Sequence, residues 1–264
     1  DKATVFGIGA GPVYADTLTE TSGKLSDNIS WTFDTTTGTL TISGTGQILQ
    51  YDHWDDDKKS PFDSKENIKS LVIESGVTEI GESAFYGSGL TSVTIPGSVT
   101  AINNYAFEKC ESLVSITIEE GTQYFYEQCF AYCTALESIT IPKSAIFLGD
   151  CIVEKCTNLT SVWILSPGNI TINDNIFEDC TNLKDVYCYN SSLDVNSDSL
   201  NDEMTLHVPA DKIEAYQTMY NEKIKEVVAL VITDTLTPFG SGYYCVDTAK
   251  GNTYIIVLCT TAQA

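Results

Sequence analysis

Five stretches of this chain alternate apolar and polar residues in the same way: LTSVTIP from Leu90, LVSITIE from Leu113, LESITIP from Leu136, LTSVWIL from Leu159 and LKDVYCY from Leu183. A period of two marks a half-buried strand. Val93 with Ile95, Ile116 with Ile118, and Ile139 with Ile141 fall on its inward face, Ser92 and Thr94 on its outward face. The leading leucines are 23, 23, 23 and 24 residues apart, and Ile68 opens one earlier unit 22 residues before Leu90. Repeats of this length predict a solenoid.

The rest of each unit is equally regular. A turn follows the strand, as at Pro96-Gly97 and Pro142, and then a second apolar touch: Val77/Ile80, Val99/Ile102, Ile146/Leu148 or Ile170/Ile172. A small-aromatic pair or its equivalent closes the unit: Ala84-Phe85, Ala106-Phe107, Cys129-Phe130, Ile152-Val153, Ile176-Phe177. No unit can bury both its strand and its closing residue alone, whereas stacked units share one continuous core.

The ends depart from the repeat, as solenoid caps do. The stretch NISWTFDTTTGTLTISGTG, residues 28–46, predicts a β-hairpin over the first rung. Past the last rung, Pro209 fits a helix start and Ile213, Tyr216 and Tyr220 fall at helical spacing. The expected organisation is a leader at 1–22, a hairpin cap with an acidic loop at 23–66, a solenoid of about six repeats at 67–208, a helical cap at 209–230 and a tail at 231–264. In the tail, runs Gly242–Asp247 and Thr253–Cys259 read as a hairpin. The leader, apolar and ending Val13-Tyr14-Ala15, reads either as the remnant of a secretory signal or as a strand-forming segment.

Charge narrows the partners. Against 36 acidic residues stand 14 basic ones, every one a lysine, for a net charge of -22 over 264 residues. This excludes nucleic acid and anionic membrane surfaces as partners and removes bidentate arginine clamps on phosphate. No run of 18 apolar residues occurs, so no membrane span is expected.

These features resemble the BspA-like branch of the leucine-rich repeats. The carriers are the strand entry C-x-x-L-x-S-I-x-I-P, the return V-x-x-I-x-x-x-A-F-x-x-C, the leader from Trp31 to Gly46 and the exit V-P…A-Y from Val208 to Tyr216. The resemblance covers roughly residues 23–230. It implies a β-rich right-handed solenoid with a parallel concave sheet, an N-terminal β-hairpin cap and a short C-terminal helix. It also implies a secreted or cell-surface protein, adhesive rather than catalytic. Leu25 stands where leaders of this family often carry a cysteine.

Four of the nine cysteines, Cys110, Cys133, Cys156 and Cys180, recur at one position of the repeat. A straight column on successive rungs has neither the convergence a disulfide needs nor the tetrahedral geometry of zinc, so these read as core filling, with Ser88 taking their place in the shortest unit. Off the column, Cys129 and Cys151 read as core, as a bridge, or as a metal pocket with Cys133 and Cys156. Cys188 reads as core, and Cys245 with Cys259 as a pair in an oxidising compartment. The loop YDHWDDDKKSPFD around His53 reads as a solvated acidic loop or a cation loop, but lacks the glycine and spacing of a helix-loop-helix calcium motif. His207 reads as structural. No nucleophile elbow, catalytic triad or phosphate loop appears, and no enzyme activity, cofactor or metal is expected.

The outward columns carry the functional expectation. One reads Ser70, Ser92, Ser115, Ser138, Ser161, Asp185, and the next Val72, Thr94, Thr117, Thr140, Trp163, Tyr187. A third ends in Leu165 and Tyr189. Exposed aromatic clusters mark interaction surfaces. The expected binding site is therefore Ser138, Thr140, Trp163, Leu165, Asp185, Tyr187 and Tyr189, holding a protein or glycan ligand such as a host matrix component. The competing expectation is that the cap or the tail covers this patch and the chain is a structural spacer of a larger surface protein.

Overall fold

The structure, a computed structural model, describes residues 17–166, 170–189, 200, 202–220 and 224–230, and the backbone of strands 237–239, 242–247 and 252–256. The first ten residues of the leader and the next six lie outside the described residues, as does any pairing of Cys245 with Cys259.

Strands β1 (Ser22–Lys24), β2 (Ile29–Asp34) and β3 (Thr39–Gly44) form an antiparallel meander. The inward residues Ile29, Trp31, Phe33, Leu40 and Ile42 are all buried. Gly23 lies under the Trp31 indole, where a Cβ would come within 2.6 Å of Nε1. Leu25 is buried in the same cluster, so this position fills core instead of forming a crosslink. Asn67 fastens the chain start to the first rung: its Oδ1 accepts from the Leu18 N–H at 2.7 Å and its Nδ2 donates to the Leu18 carbonyl at 2.9 Å.

After β4 (Gly46–Gln47), each turn supplies a front strand and a rear strand, the rear one shorter after the first turn: β5 (Ser70–Ile73) and β6 (Val77–Ile80), β7 (Ser92–Ile95) and β8 (Ala101–Ile102), β9 (Ser115–Ile118) and β10 (Tyr124–Phe125), β11 (Ser138–Ile141) and β12 (Phe147–Leu148), β13 (Ser161–Ile164) and β14 (Thr171–Ile172). The front strand of the next turn is β15 (Asp185–Cys188). All these pairings are parallel, and β3 carries the hairpin onto β5 in register, Leu40 opposite Leu71. The rear strands form one ladder from β4 to β14. The front strands form two blocks, because β9 and β11 do not pair.

The interruption has a covalent contribution. The residue after each front strand donates its N–H to the strand before: Glu74 to Ile42, Glu119 to Ile95, Leu165 to Ile141, Tyr189 to Ile164. At two turns that residue is proline, Pro96 and Pro142, which has no N–H to give. Pairing of β5 with β7 is shortened to two residue pairs, and that of β9 with β11 is lost. Ile118, expected inward, is left only partly buried at the gap.

Between the rear strand and the next leucine, each turn makes a tight corner whose hydrogen bonds run to the following turn: Phe85 N–H to Ala106 O, Phe107 to Cys129, Phe130 to Ile152, Val153 to Ile176. Two residues per corner adopt positive φ, as at Tyr105 and Lys109, Gln128 and Tyr132, Cys151 and Lys155, Asn175 and Asp179. This turns Phe62, Phe85, Phe107 and Phe130 into a fully buried stack with centroids 5.6, 5.2 and 5.5 Å apart, and Trp31 meets its first member edge-on.

The cysteine column runs beside the phenylalanines. The thiols of Cys110, Cys133, Cys156 and Cys180 donate to the carbonyls of Phe85, Phe107, Phe130 and Val153 at 3.0–3.3 Å. Burial pushes the Cys110 and Cys180 thiols up to about 12. These are weak hydrogen-bonding core groups and poor nucleophiles. Cys129 and Cys151 are separate free thiols, and Cys188 is buried. Of the second apolar touch, Ile146 is 44% exposed, because β12 begins only at Phe147 and Leu148 takes the inward place.

The front sheet continues past β15. β16 (Thr205–Pro209) pairs parallel with it, helix α1 (Ile213–Tyr220) crosses over, and β17 (Glu226–Leu230) adds a further parallel strand. The stretch 209–230 thus holds a strand as well as a helix. In the tail, β18 (Thr237–Phe239), β19 (Gly242–Asp247) and β20 (Asn252–Ile256) form an antiparallel sheet.

Candidate binding face

Register sets the columns of the front face. Ser138, Ser161, Asp185 and Thr205 stand opposite one another, as do Thr140, Trp163, Tyr187 and His207. The Trp163 and Tyr187 rings stack with centroids 3.5 Å apart, and Tyr187 stacks on His207 at 4.1 Å and 15°. His207 Nε2 lies 2.8 Å from Asp185 Oδ1, tying the third ring to the neighbouring column. Strand spacing of about 4.8 Å brings such rings together without any backbone adjustment.

Of the expected site residues, Ser138, Thr140, Trp163 and Asp185 are at least partly exposed on this face, and Tyr189 is partly buried just beyond β15. Two expectations of exposure are corrected. Tyr187 points outward but is only 5% exposed, because Trp163 and His207 cover both faces of its ring. Leu165 is 6% exposed, because alternation ends with β13 at Ile164 and the chain turns rearward there. His207 was legible only as a strand residue. It is the third ring of the stack, 20 residues after Tyr187 instead of the 23 or 24 that the repeat prescribes.

Beside the columns lies a second feature, built from residues that flank the repeat leucines Leu136, Leu159 and Leu183. Glu137, Asn158, Thr160, Asn182 and Lys184 line a polar depression immediately before β11, β13 and β15. Asn182 Nδ2 donates to the Thr157 carbonyl and the Thr160 hydroxyl to the Glu137 carbonyl, so two of its walls are fixed. Its charges, Glu137 and Lys184, balance.

The acidic loop is docked rather than loose. His53 stacks on Tyr86 and its Nδ1 lies 2.7 Å from Asp63 Oδ2, while Lys58 and Lys59 pair with Asp55 and Asp56. Trp54 meets Tyr105 edge-on yet stays 65% exposed. Beyond Tyr86 the outer corner continues as Lys109 between Tyr86 and Tyr132, then Lys155 over Tyr132 at 4.9 Å. Among the described residues, no three of His, Cys, Asp or Glu come together in a metal-holding group, and no helix is long and apolar enough to cross a membrane.

Leucine-anchored turns of constant length, a parallel front sheet and a capped first rung define a leucine-rich-repeat solenoid. Residues 58–184 match the BspA type leucine rich repeat region in six copies. Among solved structures, the chain is similar to a leucine-rich repeat protein from Eubacterium ventriosum, with a TM-score of 0.54 at 26% identity over 68% of this chain and 45% of that one. This chain therefore spans less than half the length of that neighbour. It is also similar to a T. pallidum leucine-rich repeat protein (TM-score 0.49, 17% identity, 76% of this chain and 97% of that one) and to a leucine rich cell surface protein from Faecalibacterium prausnitzii (0.38, 18%, 88% and 60%). No curated protein matches the chain.

Proposed function

We propose that this chain is a secreted or cell-surface binding module that holds a host or cell-surface protein or glycan on its front sheet, at the Trp163 end. The observation that carries this reading is the ring stack. Three aromatic rings stacked on consecutive strands make a rigid ledge whose partly exposed member is Trp163, on a face built largely of serine and threonine, and ordered aromatic side chains lose little freedom on binding. Solenoids of this kind are typically non-enzymatic scaffolds, and their sheet face offers a broad surface to partners.

The test is a binding screen of the wild-type chain against matrix proteins, mucins and glycans, repeated with Trp163→Ala. Binding that survives this substitution at full strength removes the site assignment. The burial of Tyr187 and Leu165 favours a second reading, a spacer with no ligand of its own. A screen in which the wild type binds none of these ligands would count for that reading and against the binding module.

A further inference from the structure

We infer that the ligand of the front face is a neutral oligosaccharide, with one sugar ring stacked on the open side of Trp163 and its neighbour's hydroxyls in the Glu137–Lys184 depression. This rests on the binding role proposed above and names its ligand class.

The first argument is the shape of the apolar surface. With Leu165 buried and Tyr187 sandwiched, the partly exposed rings at this end among the described residues are those of Trp163 and Tyr189, and Trp163 alone of the two lies within the strand register. One side of that indole rests on Tyr187. The other faces the Thr140 side of the column, and the indole as a whole is partly exposed. A protein partner needs a desolvated centre within roughly 1,200–2,000 Å² of interface, usually with several anchors. One flat aromatic face is the size of a pyranose, whose C–H face is apolar and whose rim is hydroxylated.

The second argument is the company the indole keeps. Ser138, Thr140 and Ser161 beside it carry hydroxyls that both donate and accept, as sugar hydroxyls do. The depression adjoining them holds an amide, a carboxylate, an ammonium group and a hydroxyl within reach of one another. Thr160 precedes Trp163 by three residues, about 10 Å along a strand, a distance a disaccharide spans. The preference for a neutral sugar follows from charge: the chain is at -22 with no arginine, and the one lysine of the depression is matched by Glu137. A sulfated or uronic-acid chain would meet net repulsion.

The experiment uses the full chain carrying Trp54→Phe, which leaves the partly exposed Trp163 beside the buried Trp31. Neutral gluco-, manno-, galacto- and N-acetylglucosamine tetrasaccharides are titrated by isothermal titration calorimetry in every variant, and by tryptophan fluorescence where Trp163 is present, with a heparin-derived tetrasaccharide alongside. At least one neutral sugar is expected to shift the emission and bind saturably. Trp163→Ala should weaken that binding at least tenfold and Asn158→Ala together with Lys184→Ala at least threefold, while the sulfated sugar does not bind. Failure of every neutral sugar, while a protein in the wider screen binds in a Trp163-dependent way, overturns the glycan assignment and leaves the binding face standing. Sugar binding that ignores Trp163 overturns both.

Discussion

The indole of Trp163 and the phenol ring of Tyr187 lie 3.5 Å apart and within 2° of parallel, on strands paired residue for residue. The two rings nonetheless have different jobs, since one is partly exposed and the other is enclosed.

Their single substitutions should separate those jobs. Tyr187→Ala removes a buried ring and its two stacking contacts, so it should cost about 3 kcal/mol in urea unfolding. Trp163→Ala should cost about 1 kcal/mol and act chiefly on ligand binding. Equal losses of stability would mean that Trp163 is core too.

The cysteine column should be silent toward thiol reagents. In the folded chain, Cys110, Cys133, Cys156 and Cys180 should resist alkylation, as peptide mapping by mass spectrometry would show, and react once the chain is unfolded. Cys133→Ser keeps a donor for the Phe107 carbonyl and should cost about 1 kcal/mol. Cys133→Leu overfills a closed site and should cost about 1–3 kcal/mol.

The gap between β9 and β11 should show in hydrogen exchange. The peptide covering residues 137–142 should exchange faster than the equivalent 160–165, where pairing with the preceding strand is complete. Pro142→Leu copies Leu165 and restores an N–H aimed at Ile118. The bond gained, about 0.5–1.5 kcal/mol, is offset by about 0.4–1 kcal/mol of chain stiffness lost with the proline. Exchange at the gap should therefore slow while global stability hardly moves.

Glu108 gives a pH dependence. Its side chain is buried, Oε2 lacks a hydrogen-bond partner, and Lys109 Nζ is 3.8 Å from Oε1. Burial raises its carboxyl above the usual 4.5, outweighing the lysine. A raised carboxyl binds its proton more tightly in the folded state, so its contribution to stability falls as pH rises from 4.5 through the folded value. Glu108→Gln should raise the melting temperature at pH 7 and lose that advantage below about pH 4.5. A melting temperature unchanged at both pH values would contradict this.

The solenoid was legible because its period repeats: a column such as Ser92, Ser115, Ser138 is written at constant spacing, and parallel pairing preserves it. Burial within a column was not legible. Whether Tyr187 is open depends on the side chains of Trp163 and His207, and the second of these arrives after an irregular connection that hides the register. Leu165 escaped for a local reason, since alternation carries no information past the end of its strand. The polar depression draws on residues that flank the repeat leucines, where the spacing is constant but the residue type varies, as Glu137, Thr160 and Lys184 do, so nothing in it marks a depression.

The outer corners, with their hydrogen bonds directed to the next turn, also shape the field of the molecule. Some N–H groups donate toward the preceding turn, as Thr100 does to Thr78 and Gly149 to Phe125, whereas those of Gly46, Phe85, Phe107 and Phe130 donate toward the following one. The peptide dipoles of each turn thus oppose one another in part, unlike those of an α-helix, which add along its axis. Lengthening such a stack by whole turns accumulates little axial polarity, so neither end becomes an attractor for ions, and the long-range field is set by the surface carboxylates.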